Sequence, residues 1–127
     1  VGVSTRTNEE AITQMRYILS PYDYGVVAVD VRGTLHLKSV ATAIADDLVV
    51  VDTSAIDPGI FGARHIEVPA GAANMLRVNG TVLAPATAAS LVPQIEAEGL
   101  SVVLLDNSEL AKAEGALTCC SLIFTDR

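Results

Sequence analysis

The sequence predicts an α/β fold built from repeated β-β-α-β units, and three observations point to it. Short apolar runs, each bounded by Asp, Gly or Asn, are typical of buried strands and too short to cross a membrane; they lie at residues 26–29, 48–51 and 102–105. The predicted strands come in pairs, not in the strict strand-helix alternation of a doubly wound sheet. The same order of elements occurs twice, at about residues 35–68 and 74–105.

The first predicted element is a helix over residues 7–19. Its apolar residues recur at helical spacing, Thr7 or Asn8 is suited to cap its N-terminus, and two acidic residues occupy its first turn. Pro21 ends it. The next predicted elements are strands at residues 25–31, 35–43 and 48–52, an irregular or helical stretch containing Pro58 and Gly59, and a strand at 65–68.

The second copy begins with a hairpin. The dipeptide Asn79-Gly80 predicts a tight turn, since both residues tolerate the positive φ that such a turn requires. The surrounding predicted elements are strands at 74–78 and 81–84, a helix over 85–98, a strand at 100–105, a short helix over about 108–113 capped by Asn107, and a final strand at 117–124.

The repeat leaves both ends of the chain inside a unit. Residues 1–31 then form an incomplete unit, and the strand at 117–124 opens a further one. The chain also lacks an initial Met, so we expect residues 1–127 to be a single incomplete domain, part of a ring or array in which each unit packs against its neighbour. A ring would bring His36, Asn74 and Cys119 together at its centre, because each lies near the start of a unit.

Composition and charge exclude several function classes. The formal net charge of −7 argues against nucleic acid and anionic membranes, which would repel the chain, and favours a small charged metabolite. Cys119 and Cys120 are the only cysteines and are adjacent, so they cannot crosslink distant segments. This pattern favours a reducing compartment, and we expect a cytoplasmic protein.

The chemically most informative residues are His36 and Cys119. A thiol far in sequence from a His that the fold could bring to it is typical of enzymes with a nucleophilic cysteine. Taken alone, a Cys in an apolar strand is more often an inert core residue, and a His more often structural.

Five short stretches carry a family resemblance: GVSTRTN (residues 2–8), LHLKS (35–39), AAN (72–74), LRVN (76–79) and LTCCS (117–121). They resemble the dimethylarginine dimethylaminohydrolases, of the guanidino-group-modifying or amidinotransferase superfamily. The resemblance spans nearly the whole chain but only the C-terminal half of such an enzyme. It implies a pentein fold, a five-bladed α/β propeller of β-β-α-β units, with about half of the ring in this chain.

The resemblance also implies a reaction. Cys119 would attack the guanidinium carbon of an N-methylated arginine, giving a thiouronium intermediate and releasing methylamine or dimethylamine, and water would then yield citrulline. His36 would protonate the departing amine and activate the water, since its ordinary pKa lies near 6.5. Cys120, one residue further along a predicted strand, should face the opposite way.

Substrate-binding residues follow from the same resemblance. Arg6 would clamp the substrate's α-carboxylate, and the backbone carbonyl of Ala113 would accept its α-amine. Arginine deiminases and amidinotransferases carry an acidic residue where this chain has Lys38, which favours a methylated guanidine. Asn74 is either central to the site or an ordinary turn former, and His65 is expected to be an ordinary half-buried histidine.

The carboxylates that hold the guanidinium and orient the His lie upstream in the family, before the segment that matches residue 1. The available aspartates match no such role: Asp30, Asp46, Asp47 and Asp52. We therefore expect little activity from the isolated chain, and a hydrophobic interface with either its N-terminal half or a second copy. Metal-ligand spacing is poor, so no zinc or other cofactor is expected.

Two alternatives remain open from the sequence. One is another guanidine hydrolase, for example one that resembles arginine deiminase. The other is a non-catalytic subunit for amino-acid binding or assembly.

Overall fold

The computed structural model describes residues 1–124 and divides into two compact units. Unit 1 covers Val1–Leu37 and unit 2 begins at Lys38. Along the chain the elements are β1 (Gly2–Val3), α1 (Glu9–Leu19), β2 (Val29–Asp30), β3 (Ala41–Ala45), β4 (Leu48–Val51), β5 (Arg64–Glu67), β6 (Leu76–Val78), β7 (Thr81–Pro85), α2 (Val92–Glu96), β8 (Ser101–Leu105) and α3 (Ser108–Lys112). Short 3-10 helices span Ser20–Tyr22, Leu37–Ser39, Pro58–Phe61 and Ala86–Leu91.

Unit 1 consists of one helix and a small parallel strand pair. Asn8 caps α1, since its Oδ1 accepts a hydrogen bond from the amide of Ala11 at 3.0 Å. Ile12 is the only side chain of α1 that is buried, which leaves most of the helix surface exposed. The predicted strand at 25–31 is reduced to β2, because its neighbour β1 offers only two residues for pairing.

Unit 2 contains two three-stranded sheets of the same topology. In each sheet the first two strands form an antiparallel hairpin and the third strand is parallel to the second, in the orders β3-β4-β5 and β6-β7-β8. The sequence predicts the succession of three strands along each copy, but not how they pair. The two copies differ in their connections, as the first has only a 3-10 turn and the second has a longer helical segment ending in α2.

Local chemistry explains both connections. In the first, the Asp57 carboxylate accepts a hydrogen bond from the amide of Gly59 at 2.8 Å, which fixes a tight turn around Pro58. In the second, Pro93 has no N–H to donate, so the predicted helix over 85–98 is a 3-10 helix first and becomes α-helical only at Val92.

The predicted hairpin turn is confirmed. Asn79 and Gly80 have φ values of 48° and 81°, the left-handed region that a two-residue hairpin requires. Val78 therefore pairs with Thr81 directly across the turn.

One hydrophobic core joins the two sheets of unit 2. Strand β4 is buried over its whole length and is the central strand of its sheet, between β3 and β5. The core side chains of both sheets, the intervening segment and α2 are Ile44, Leu48, Val50, Ile66, Val68, Ala72, Ala73, Met75, Val82, Ala84, Ala88, Leu91, Ile95 and Leu100. Unit 2 thus places residues near the ends of its strands on a firmly packed support.

The predicted strand at 117–124 is wrong. The segment forms turns instead, with the amide of Cys120 donating to the carbonyl of Ala116 at 3.2 Å and the amide of Ser121 donating to that of Thr118 at 3.4 Å. Its apolar residues suit a strand, but no strand among residues 1–124 pairs with it. A strand needs such a neighbour to satisfy its backbone groups.

One further strand boundary and one helix cap also differ from the prediction. The strand expected at 35–43 begins only at Ala41, because its partner β4 is four residues long and the preceding Leu37–Ser39 forms a 3-10 turn. Asn107 occupies the N-cap position of α3, but its side chain makes no capping bond; Asp106 accepts the amide of Ser108 instead, at 2.9 Å. Within residues 1–124, no helix has the length and apolar character needed to span a membrane.

Candidate active site

In unit 1 a serine holds the Arg6 turn against the segment that carries His36. Ser4 and Thr7 exchange backbone hydrogen bonds around a tight turn, and the amide of Arg6 donates to Ser4 Oγ at 3.0 Å. Ser4 Oγ in turn donates to the carbonyl oxygen of Leu35 at 2.8 Å. Two residues that the sequence assigns to the site are therefore fixed in one small region, both with exposed side chains.

A cavity of about 300 Å³ lies in the same region. It is lined by Ser4, Thr5, Val31, Gly33, Thr34 and Leu35. Thr5 precedes Arg6 and Leu35 precedes His36, so both predicted site residues lie next in sequence to the cavity wall. The side chains of Arg6 and His36 themselves do not line it.

In unit 2, Cys119 lies in the turn that follows α3, with its side chain exposed. Its Sγ accepts a hydrogen bond from the amide of Ala116 at 3.0 Å and donates to the carbonyl oxygen of the same residue at 3.2 Å. These two hydrogen bonds to one residue hold the sulfur in place. The turn therefore presents a fixed, accessible sulfur to solvent.

Cys120 lies on the same side of this turn, which corrects the expectation that it faces away. The Sγ atoms of Cys119 and Cys120 are 3.9 Å apart. Neighbouring side chains alternate in a strand but not in a turn, and the strand is absent here. The pKa of Cys120 is raised, first by its hydrogen bond to Cys119, then by desolvation and by the charge of Cys119. Cys120 therefore ionises less readily than an ordinary cysteine.

The end of α3 directs the chain from Ala113 toward Cys119. The amide of Glu114 donates to Ala111 at 3.1 Å and that of Gly115 to Leu110 at 2.8 Å, the paired bonds of a Schellman motif. Within residues 1–124 no hydrogen bond reaches the carbonyl oxygen of Ala113. An unpaired, exposed carbonyl is able to accept a substrate amine.

Asn74 makes the most extensive side-chain contacts of this region. Its Oδ1 accepts the amide of Thr118 at 3.0 Å, and its Nδ2 donates to Thr118 Oγ1 and to the carbonyl oxygen of Lys38, both at 2.9 Å. The sequence left Asn74 open between a central and a turn-forming role; the structure shows a side chain bonded to two distant segments. Ser4 and Thr118 were given no role from the sequence, although both lie within the recognised motifs.

Three of the aspartates that the sequence offers make contacts within unit 2. Asp46 pairs with Arg77 at 3.3 Å, and Asp47 pairs with Arg64 at 3.1 Å. The pKa of Asp47 is lowered by its hydrogen bond to the Arg64 guanidinium and by that positive charge. Asp52 is buried and accepts hydrogen bonds from the amide and hydroxyl of Ser54 at 3.1 and 2.6 Å.

His65 is exposed, not half-buried, because the inward side chain of β5 is its neighbour Ile66. Asp30 is an exposed residue at the end of β2. Among residues 1–124, no three His, Cys, Asp or Glu side chains are grouped closely enough to hold a metal ion.

The sequence is similar to two curated dimethylarginine dimethylaminohydrolases. It is 36% identical to that of Streptomyces coelicolor over 125 residues, which is 96% of this chain and 48% of that protein. It is 32% identical to that of Pseudomonas aeruginosa over 128 residues, which is 98% of this chain and 50% of that protein. No protein-family model matches the chain.

The fold is similar to that of the Pseudomonas aeruginosa dimethylarginine dimethylaminohydrolase, solved as a cysteine-to-serine mutant in complex with citrulline. The TM-score is 0.83 at 28% sequence identity, covering 93% of this chain and 48% of that one. The resemblance first seen in short motifs is therefore confirmed in both sequence and fold. This chain spans about half the length of the relatives it matches.

Proposed function

We propose, for a chain that is homologous to the dimethylarginine dimethylaminohydrolases over nearly its whole length, that it is the C-terminal half of an enzyme that hydrolyses N-methylated arginine. Cys119 sulfur bonds to the guanidinium carbon, and the C–N bond to the methylated nitrogen then breaks. The departing amine takes a proton from His36. Water, deprotonated by the same imidazole, displaces the sulfur and leaves citrulline.

The observation that supports this proposal most strongly is the setting of Cys119. Its sulfur is exposed and is hydrogen-bonded to the backbone of Ala116 at 3.0 and 3.2 Å, while the pKa of the neighbouring Cys120 is raised by its hydrogen bond to Cys119. Because a raised pKa disfavours the reactive thiolate at Cys120, we assign Cys119 as the nucleophile.

The other roles rest on the motifs together with local geometry. Arg6 lies on a turn held by Ser4, and its planar guanidinium is able to bind a carboxylate through two parallel hydrogen bonds. The free carbonyl of Ala113 is suited to the α-amine. Lys38 cannot accept hydrogen bonds from a guanidinium, which favours a methylated substrate over arginine.

The rest of the enzyme is proposed to be an N-terminal half that supplies the carboxylates. The relatives are about twice as long as this chain, and its aspartates at 46, 47 and 52 are engaged in structural contacts. In unit 2, Leu122 and Phe124 are 87% and 76% exposed. Apolar side chains this exposed favour a further protein surface as their cover, either that half or a second copy.

The test is citrulline release from dimethylarginine by this chain alone and together with its N-terminal half. We expect little or no turnover alone and restored turnover with both halves, because a Cys-His pair without an orienting carboxylate loses orders of magnitude in rate. In the completed enzyme, Cys119→Ser should abolish turnover.

The matched control is Cys120→Ser, one residue away, which should be tolerated. Full activity of Cys119→Ser, or loss of activity only with Cys120→Ser, would contradict the choice of nucleophile. A completed, folded protein that binds dimethylarginine without releasing citrulline would show a non-catalytic module instead.

A further inference from the structure

We propose that Asn74 is a positioning residue that sets the orientation of the Cys119 thiol by holding Thr118, the residue before it. This inference rests on the proposed function, since it concerns how the nucleophile is presented. Asn74 itself touches neither sulfur nor substrate in this account. It acts through the backbone of the turn.

The contact between Asn74 and Thr118 is a two-point clamp. The side-chain amide uses its oxygen to accept the Thr118 N–H at 3.0 Å and its nitrogen to donate to the Thr118 hydroxyl at 2.9 Å. These two bonds fix both the peptide plane and the side chain of Thr118. Only two rotatable backbone bonds then separate this fixed residue from the Cα of Cys119.

The clamp is anchored in the core of unit 2. Ala73 and Met75, on either side of Asn74, are completely buried, so the backbone of Asn74 cannot shift without disturbing packed side chains. Leu117, on the other side of Thr118, is also buried. The exposed turn of Cys119 is therefore held by an amide that the core itself positions.

The second N–H of the Asn74 amide reaches a different segment. It donates to the carbonyl oxygen of Lys38 at 2.9 Å. Lys38 is the first residue of unit 2, so the same side chain ties the turn of Cys119 to the start of that unit.

Only an amide supplies this set of bonds. An ionised aspartate at position 74 keeps the acceptor for the Thr118 N–H but loses both donated hydrogen bonds, and it would place negative charge against the Lys38 carbonyl. Alanine loses all three bonds. Thr118→Val removes only the hydroxyl and keeps its shape, whereas Thr118→Ser keeps the hydroxyl.

The variants remove different numbers of these hydrogen bonds, so their expected effects on kcat in the completed enzyme differ in size. Asn74→Asp and Asn74→Ala should lower kcat for citrulline release by about 10- to 100-fold with KM changed less than about threefold, because a small misplacement of a reacting group costs up to that much. Thr118→Val should lower kcat by less than about tenfold, and Thr118→Ser should restore it. The rate of Cys119 alkylation by iodoacetamide, measured against pH, should change in Asn74→Ala.

Asn107→Ala is the matched control, since Asn107 makes no side-chain capping bond. Unchanged kcat and an unchanged alkylation profile in Asn74→Ala would overturn the inference, as would a rise in KM alone. If Asn74→Ala does not fold, Thr118→Val and its rescue by Thr118→Ser decide instead. Citrulline release by Cys119→Ser would refute the proposed function, whereas wild-type behaviour of the Asn74 and Thr118 variants would refute only this inference.

Discussion

The two units of the chain differ in how much strand pairing and hydrophobic burial stabilise them. Unit 2 pairs six strands in two sheets and buries a common hydrophobic core between them and the adjoining segments. Unit 1 has one helix with a single buried side chain, Ile12, and one pair of two-residue strands. Apolar residues at helical spacing thus predict a helix reliably, but they do not say which surface will cover it.

This difference bears on the proposal of a missing half. Unit 1 leaves large apolar side chains in solvent, among them Tyr17, Ile18, Tyr22 and Tyr24. The proposed N-terminal half would offer such side chains a surface to pack against. The exposed face of α1 is therefore where cover by another part of the protein would matter most.

The largest expected effect on stability comes from a matched pair of isoleucines. Ile95 is completely buried in the core of unit 2, whereas Ile18 on α1 is 60% exposed. Ile95→Ala should lower the free energy of unfolding by about 2–5 kcal/mol through lost burial and a residual cavity, and Ile18→Ala by no more than about 0.5 kcal/mol. Urea unfolding followed by circular dichroism measures both.

Equal losses in the two variants would contradict the comparison between the units. If Ile18→Ala lowers the free energy of unfolding by more when the N-terminal half is added, that half covers this face of α1. The Ile95→Ala loss should be the same in either case.

A smaller effect is expected from a matched pair of asparagines at helix starts. Asn8 accepts the amide of Ala11 at 3.0 Å in unit 1, whereas the side chain of Asn107 makes no capping bond in unit 2. Asn8→Ala should lower the free energy of unfolding by about 1 kcal/mol and Asn107→Ala by much less. Thermal unfolding of the two variants under one buffer condition checks this, and a larger loss for Asn107→Ala would contradict the assignment of the caps.

Much of the fold was predictable from the sequence. The apolar runs indicated β4 and β8, and Asn79-Gly80 fixed the hairpin, because these signals are local. The segment 117–124 was mispredicted, since its composition suits a strand while the neighbour that a strand needs is absent among the described residues. Whether an apolar segment pairs with another strand depends on the tertiary structure, which composition alone does not specify.

Sequence motifs identified the candidate site residues, but not the contacts between them that depend on the three-dimensional structure. Cys119 and His36 were found because their residue types and surroundings resemble a known family. Cys119 and Cys120 lie on the same side because they are in a turn. The hydrogen bonds of Asn74 and Ser4 join segments that are 44 and 31 residues apart. Such contacts leave no spacing pattern in one sequence.

The central claim, that Cys119 is the nucleophile, is tested most directly by covalent labelling. The completed enzyme is treated with chloroacetamidine, an electrophile that resembles the guanidinium group, at neutral pH, and the modified residue is located by peptide mass mapping. We predict modification of Cys119 in proportion to the loss of citrulline release, with Cys120 unmodified because its raised pKa disfavours the reactive thiolate. Labelling of Cys120 alone, or full activity after Cys119 is modified, would contradict the account.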